Sequence, residues 1–288
     1  MLKTNENKLV VQAVMGEISH PSKGPYLVSF DGKVKTLPGT GSITYNKRVG
    51  DLCVGLMADH VEPGVSIKNM SADTGCNTGL NILACCGNEA TVITGKAKGA
   101  KGVVTGKHGG VEHIIVDFPL KTMDKLVIGD KMQIKACGTG LELTDFPAIK
   151  IMNISPELLK AISLKVIGKK LRVGVAHIIP AKIMGSGLGA SDTHTGDYDI
   201  QLFDKKTVEE YNLQDLRFGD FVAIIDADSS YGRIYKTGAV TIGIIVHSDC
   251  YVSGHGPGVT TLFTSSEKGS IETFIDKKAN IASVLRLK

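Results

Sequence analysis

The segment between His247 and Gly258 concentrates side chains that could bind a metal ion. Apolar residues 240–246 predict a strand that delivers His247, and Asp249 follows on the same face if the chain stays extended. Three glycines then allow a sharp loop that returns His255 to the same place. Two imidazoles and a carboxylate suit Zn, Fe or Mn, with open positions for water and substrate. In the alternative interpretation the loop only turns the chain, and a backbone carbonyl satisfies His247.

A shorter polar group follows apolar residues 52–57, which we predict to form a strand. Asp59 could orient the ring of His60 so that it acts as a base, or His60 could complete the metal site from the first half of the chain. A lone histidine in such a position is more often structural. The order of apolar strand, acidic residue and histidine favours chemistry because it repeats the pattern around His247.

Paired carboxylates form a second candidate for catalysis. Asp226 and Asp228 follow predicted strand residues 221–225 and would share one face, where they could act as general acid and base. Arg233 could hold a substrate carboxylate or lower the pKa of one aspartate. The alternative is an Asx-turn loop with a surface ion pair, and the sequence does not separate the two.

Two glycine-rich segments allow further hypotheses. Residues 185–199, with Asp197 and Asp199 at their end, predict either a flexible lid over the site or a plain surface loop. Residues 95–110 have a glycine–lysine rhythm that resembles the KOW motif of ribosomal and transcription-elongation proteins. That resemblance implies RNA phosphate contacts through Lys98 and Lys101, although a tight hairpin with exposed lysines gives the same pattern. Residues 107 and 108, a lysine and a histidine between glycines, could bind an anion.

The elements that must position these residues are mostly strands. Apolar segments are short, β-branched and bounded by Gly, Pro, Asn or Asp. Glycine provides 34 of 288 residues and aromatic residues only 5%, which favours a turn-rich β protein. The clearest helix runs from Pro156 to about residue 167, with Ser155 as N-cap, and a second lies near residues 207–212. Residues 80–86 fit a helix or a buried strand.

We therefore predict a mainly β (α+β) fold with few helices, in two β-rich lobes that are barrel- or sandwich-like. Residues 1–150 would form the N-terminal β-rich lobe. Residues 151–288 would form a C-terminal α+β lobe that carries the aspartate, histidine and glycine clusters.

Charge and composition narrow the partners and the location. The 33 Lys+Arg against 29 Asp+Glu give a net charge of +4, too mild for strong attraction to nucleic acid or anionic lipid. We expect no membrane-spanning segment, no secretory signal and reduced cysteines, and therefore a cytoplasmic protein. The expected partners are a small-molecule substrate and further copies of the chain, because β proteins must protect their sheet edges.

The chain also resembles a known family in six stretches, which are residues 39–46 (GTGSITYN), 58–63 (ADHVEP), 106–110 (GKHGG), 196–200 (GDYDI), 238–249 and 254–258 (GHGPG). The family is the domain of unknown function 4438, and the resemblance covers essentially the full length. It brings no activity with it. A looser similarity, in residues 196–199, 219–220, 226–232 and 238, is to acetamidase- and formamidase-type amide hydrolases. Those enzymes are β-rich and metal-dependent, but their acidic-His-Ala-Gln-Gly pattern is replaced here by DADSSYG at residues 226–232.

Together these features predict a metal-dependent enzyme that hydrolyses an amide or related C–N bond in a small polar substrate. The predicted ligands of the divalent metal are His247, Asp249, His255 and His60. Asp226 or Asp228 would take the proton of the attacking water, and Arg233 would anchor a substrate carboxylate. The alternative is a non-catalytic β module that binds a small ligand or RNA through the turn at residues 95–110.

Overall fold

The computed structural model describes residues 2–186 and 192–287. The strands are β1 (Gln12–Ile18), β2 (Leu27–Val28), β3 (Val34–Lys35), β4 (Ile43–Thr44), β5 (Gly64–Lys68), β6 (Glu89–Val92), β7 (Lys101–His108), β8 (His113–Asp117), β9 (Lys131–Ala136), β10 (Lys150–Ile151), β11 (Leu164–Ile167), β12 (Lys170–Val175), β13 (His177–Pro180), β14 (Tyr198–Asp199), β15 (Phe221–Asp228), β16 (Ile234–Ile245), β17 (Gly258–Ser265) and β18 (Ile271–Ile275). The helices are α1 (Thr74–Leu83), α2 (Leu120–Met123), α3 (Pro156–Ala161), α4 (Lys205–Glu210) and α5 (Ile281–Val284).

Six antiparallel strands of the first half close into a barrel. They follow the order β1-β9-β6-β7-β8-β5, and β5 pairs back with β1 through Glu17–Lys68 and Ile18–Ile67. Buried and exposed residues alternate along the barrel strand β9: Met132, Ile134 and Ala136 face inward and are buried, and their neighbours are exposed. Closure leaves the barrel strands no free edge along the ring.

The second half is built on a six-stranded sheet, in the order β10-β17-β16-β15-β13, with β14 added to β17. Strands β15, β16 and β17 are antiparallel, whereas β13 lies parallel to β15. A three-stranded sheet, β11-β12-β18, a short hairpin, β2-β3, and β4, which pairs with the barrel strand β5, complete the described strands. The mainly β fold with few, short helices is therefore confirmed.

One predicted helix is shorter than the sequence indicated. Ser155 does cap α3, since its Oγ accepts a hydrogen bond from the backbone N–H of Leu158 at 3.1 Å. The helix ends at Ala161, however, and residues 164–167 form β11, which pairs with β12. Gly168, with φ of 59°, makes the hairpin turn between these strands rather than ending a helix. Helix α4 confirms the second prediction, and α1 shows that residues 80–83 are helical.

Two buried clusters of apolar side chains stabilise the molecule. One fills the barrel, and the larger one surrounds β15–β17. The larger cluster also takes in Leu141, Leu143, Phe146 and Ile149, which precede residue 150. The division of the chain near residue 150 stays a prediction. Within the described ranges, none of the helices has the length and apolar character needed to cross a membrane.

Candidate metal centre

The end of the β7–β8 hairpin supplies two buried histidines to one carboxylate. His108 and His113 are directly paired across the strands, and the Nδ1 atoms lie 2.6 Å and 3.0 Å from Oε1 of Glu62. Burial alone would raise the pKa of the Glu62 carboxyl, but these hydrogen bonds hold it well below its usual value. Burial also lowers the pKa of His108, as does the nearby charge of His247. A neutral His108 that donates through Nδ1 keeps a lone pair on Nε2.

His247 enters the same place from the end of β16. Its ring is fully buried, and Nδ1 donates to the carbonyl oxygen of Ser248 at 2.9 Å. The other nitrogen, Nε2, lies 2.8 Å from Oδ2 of Asp197 and 3.5 Å from Oδ1 of Asp199. Burial opposes the charged ring, but the carboxylate of Asp197 outweighs it and raises the pKa of His247 to about 9. Its ring centroid is 4.2 Å from that of His108.

The two aspartates approach from β14, one residue on each side of Tyr198. The Asp197 Oδ1 atom accepts the backbone N–H of Gly109 at 2.6 Å, and Asp199 Oδ2 accepts that of Gly256 at 3.2 Å. Burial would raise the pKa of the Asp199 carboxyl, but its contacts with histidines hold it well below its usual value. These bonds fix the direction of both carboxylates before any ligand is present.

The six side chains of His60, His108, Asp197, Asp199, His247 and His255 form one cluster. His60 and His255 lie on its more open side. The Nε2 atom of His60 lies 3.1 Å from Nδ1 of His255, which is itself 3.1 Å from Oδ2 of Asp199. His60 Nδ1 donates to Asp59 at 2.7 Å. Burial disfavours the charged ring of His60, but hydrogen bonds to Asp199 and Asp59 raise its pKa to about 12. The side chain of His255 is 38% exposed against 1% for His247.

Three of these rings share one arrangement. In His60, His108 and His247, Nδ1 is bonded to an oxygen acceptor, which leaves Nε2 for other partners; in His60 and His247 it contacts other members of the cluster. Metal-binding histidines are commonly oriented in this way by a carboxylate or a carbonyl behind the ring. Two separate groupings have donor atoms within 4.8 Å of one another: His108–Asp197–His247, fully buried, and His60–Asp199–His255. Imidazole and carboxylate donors of this kind fit Zn, Fe or Mn.

A third grouping adds the thiol of Cys250, with Asp59 and the other side of His60. The Cys250 Sγ atom donates to Oδ1 of Asp59 at 3.1 Å. Burial raises the pKa of this thiol, which keeps it protonated. We therefore interpret Asp59 and Cys250 as groups that hold the ring of His60 in place.

The backbone at two positions of this site has a geometry that few residue types can adopt. His60 has φ of 53°, a left-handed conformation that residues other than glycine seldom adopt. A Cβ atom on Gly258 would lie 2.1 Å from Nε2 of His247 and 2.1 Å from Oδ2 of Asp197. The start of β17 therefore passes the two donors at a distance that only glycine permits.

The structure brings together three of the four predicted metal ligands, His60, His247 and His255, but not Asp249. Strand β16 ends at Ile245, so the chain turns before Asp249 can share a face with His247. The Oδ2 atom of Asp249 instead accepts the backbone N–H of Gly55 at 2.7 Å. Residues 52–57, predicted as a strand, form bends, with one isolated bridge from Leu52 to Arg217.

The three predicted catalytic residues make their contacts elsewhere. Asp226 has φ of 63° at a bulge between β15 and β16, and its Oδ1 accepts the backbone N–H of Gly238 at 2.7 Å. Asp228 accepts the hydroxyl of Ser230 at 2.6 Å. Arg233 donates to the carbonyl oxygen of Gly185 at 2.9 Å. Within the described ranges, no hydrogen bond or ion pair joins Asp226, Asp228 or Arg233 to the cluster.

Sequence reasoning missed His108, Asp197, Asp199 and the supporting Glu62 as site residues. The signals were present, since the two aspartates are spaced by two and His108 stands between glycines. They were attributed to a lid and to an anion-binding turn. Part of the predicted lid, residues 187–191, lies outside the described residues.

The glycine–lysine turn at residues 95–110 does not form one exposed basic surface. Lys98 is exposed, but Lys101 pairs with Glu89 at 3.0 Å. Lys107 is fully buried, and its Nζ donates to Oδ1 of Asn153 at 2.7 Å and to the carbonyl oxygen of His194 at 2.9 Å. Lys107 therefore makes hydrogen bonds inside the protein and is not available to an anion. Its neighbour His108 belongs to the cluster.

The fold and the cluster define a β-barrel protein in which the barrel end and a neighbouring sheet build one histidine–carboxylate centre. The chain belongs to the DUF4438 family: models described as domain of unknown function (DUF4438), N-terminal and C-terminal, match residues 26–160 and 161–285. The family predicted from sequence is thus confirmed. A solved structure described as "Crystal structure of TM1086" is 44% identical, with a TM-score of 0.92 over 98% of each chain. No curated protein matches the chain. These comparisons give no support to the similarity with acetamidases and formamidases.

Proposed function

We propose that the protein is a metal-dependent enzyme that acts on a small polar substrate, with hydrolysis of an amide or related C–N bond as the reaction. The observation that supports it is that His60, His108 and His247 are each held through Nδ1, with Nε2 of His60 and of His247 in contact with other members of the cluster. Such an arrangement is costly to maintain unless the inner nitrogens serve a ligand, because it packs several ionisable groups together in a buried place.

In this proposal His108, Asp197 and His247 hold a divalent Zn, Fe or Mn ion. When bound, the ion would polarise a substrate carbonyl and lower the pKa of a coordinated water. Glu62 and the Ser248 carbonyl keep the two rings in the required tautomer, and the Gly109 N–H orients Asp197. The protein's part is therefore orientation, made before substrate arrives.

In this proposal a substrate approaches His60 through a groove next to the Asp59–His60 turn, although no member of the cluster lines that groove. It has a volume of about 750 Å³, and Met57, Ala58 and Val61 in its wall flank the Asp59–His60 turn. Lys23 also lines it and reaches Oδ2 of Asp59 at 3.2 Å. In this revised proposal Lys23 takes the role expected of Arg233, the attraction of a negatively charged substrate group.

Elemental analysis of protein purified without a metal-affinity tag tests the proposal. We expect at least one Zn, Fe or Mn ion per chain in the native protein, and a loss of about tenfold or more in affinity in His247→Ala and His108→Ala. His177→Ala is the matched control, because His177 is also buried but lies in β13, away from the cluster.

Absence of bound metal after dialysis against each ion, or full metal content in His247→Ala, would reject the metal centre. Release of ammonia or amine from a panel of small amides then tests the reaction class. The proposal also includes a cytoplasmic location. It further includes assembly into homo-oligomers, and light scattering on the purified protein measures their mass.

A further inference from the structure

The cluster contains more ligating side chains than one catalytic ion uses. A catalytic zinc site takes three protein ligands and leaves a position for water. Six side chains converge here, and they separate into two groupings that share no residue, His108–Asp197–His247 and His60–Asp199–His255. Each grouping by itself has the three donors of a complete catalytic site.

Asp199 stands between the two groupings and faces both. Its Oδ1 lies 3.5 Å from Nε2 of His247, in the buried grouping. Its Oδ2 lies 3.1 Å from Nδ1 of His255 and 3.5 Å from Nε2 of His60, in the open grouping. A carboxylate that turns one oxygen to each of two ligand sets is suited to bridge two ions, which in two-metal enzymes are about 3.5–4 Å apart.

The rings of the two groupings are close enough for such a pair. The centroid of His60 is 5.0 Å from that of His247 and 5.9 Å from that of His108. The left-handed backbone at His60 and the hydrogen bond from its Nδ1 to Asp59 hold this ring beside the buried grouping. The second position is thus built into the fold.

We propose that the centre binds two divalent cations, one held by His108, Asp197 and His247 and one by His60 and His255, with the Asp199 carboxylate as the bridge. This inference rests on the proposed metal-dependent function and extends it to a two-metal reaction. The outer cation exchanges more readily, because the side chain of His255 is 38% exposed and those of His108 and His247 are 7% and 1% exposed. Two ions would stabilise both the attacking and the leaving atom of a hydrolytic step.

Manganese titration of the metal-free full chain tests the number of ions. We expect two Mn²⁺ per chain by elemental analysis after gel filtration, and an electron paramagnetic resonance spectrum with the exchange-coupled lines of a dinuclear pair. His255→Ala should keep one Mn²⁺ per chain with an uncoupled spectrum. His20→Ala removes an exposed histidine outside the cluster and should keep both ions and the coupling.

Asp199→Asn provides a second variant of nearly unchanged shape that lacks the charge of the bridge. We expect the coupled lines to disappear from its spectrum. One Mn²⁺ per chain in the native protein, or two ions without coupling, would overturn the two-metal inference and leave a single-ion enzyme standing. No bound Mn²⁺, Zn²⁺ or Fe²⁺ in the native protein would overturn the proposed function as well.

Discussion

Glu62 shows how one residue can organise a site without touching a ligand. Its carboxylate accepts hydrogen bonds from His108 and His113, from the backbone N–H of Gly41 at 2.7 Å and from the hydroxyl of Ser66. The side chain is fully buried, so these four donors take the place of water around its negative charge. Its effect on the centre is the fixed tautomer of His108.

Replacing Glu62 by glutamine therefore has a definite expected result. Glu62→Gln keeps the shape but replaces one accepting oxygen by a donating amide, which leaves buried donors facing a donor. We expect metal affinity to fall about 10- to 100-fold, and the free energy of unfolding to fall by about 1–3 kcal/mol. Chelator competition and urea denaturation measure the two effects. Unchanged affinity would show that Glu62 does not orient His108; exposed Glu142→Gln is the control.

At the residue scale the sequence pointed to three members of the cluster. His60 follows Asp59, His247 stands two residues before Asp249, and His255 stands between glycines, each in a short polar segment. Asp249 lies outside the cluster because β16 ends at Ile245, whereas the predicted placement needed that strand to continue. Asp226 was chosen for its carboxylate, but that carboxylate is used locally, at the bulge of β15.

At the scale of elements, strand β17 must pass very close to the centre. Its first residue, Gly258, lies where any Cβ would overlap both His247 Nε2 and Asp197 Oδ2. The preceding Gly256 is also constrained, since a Cβ there would lie 1.7 Å from the carbonyl oxygen of Ile200. The glycine spacing in this loop serves close packing as well as turning.

We expect Gly258→Ala to disrupt the centre. The added methyl group must push His247 or Asp197 aside, which costs about 1–3 kcal/mol of stability and misplaces two of the proposed metal ligands. Metal content by elemental analysis and thermal unfolding measure both consequences. Gly79→Ala is the control, because that site in α1 has no atom within 4 Å and alanine favours a helix by about 0.5–1 kcal/mol. A Gly258→Ala protein with full metal content would contradict the assignment of His247 and Asp197 as ligands.

At the scale of the whole molecule, buried polar contacts fasten the barrel to the second half. Lys107, on the barrel strand β7, donates to Asn153 and to the His194 carbonyl, just before the segment that carries Asp197. Arg48 donates to Asp117 on β8 at 2.6 Å and to the carbonyl oxygen of Leu287 at 2.8 Å. The histidine–aspartate cluster takes His108 from the first part and Asp197 and His247 from the second, so it depends on both.

Lys107→Met tests how much these buried contacts contribute to stability. The methionine fills a similar volume but leaves the Asn153 oxygen and the His194 carbonyl buried without their donor, which costs about 1–3 kcal/mol. We expect a lower urea midpoint and, because the segment before Asp197 loosens, weaker metal binding. Lys101→Met, on the same strand with an exposed ion pair, should change stability by no more than about 0.5 kcal/mol. Equal stability of the two variants would refute the role given to Lys107.

The sequence by itself determined the mainly β class, the capped start of α3 and the family, and it singled out His60, His247 and His255, because these features depend on alternation, caps and motifs over a few residues. The tertiary structure decided which polar residues meet. The bond between His60 and His255 spans 195 positions, and that between Glu62 and His108 spans 46. Barrel closure and the pairing of β14 with β17 bring such residues together, and no local pattern encodes those pairings.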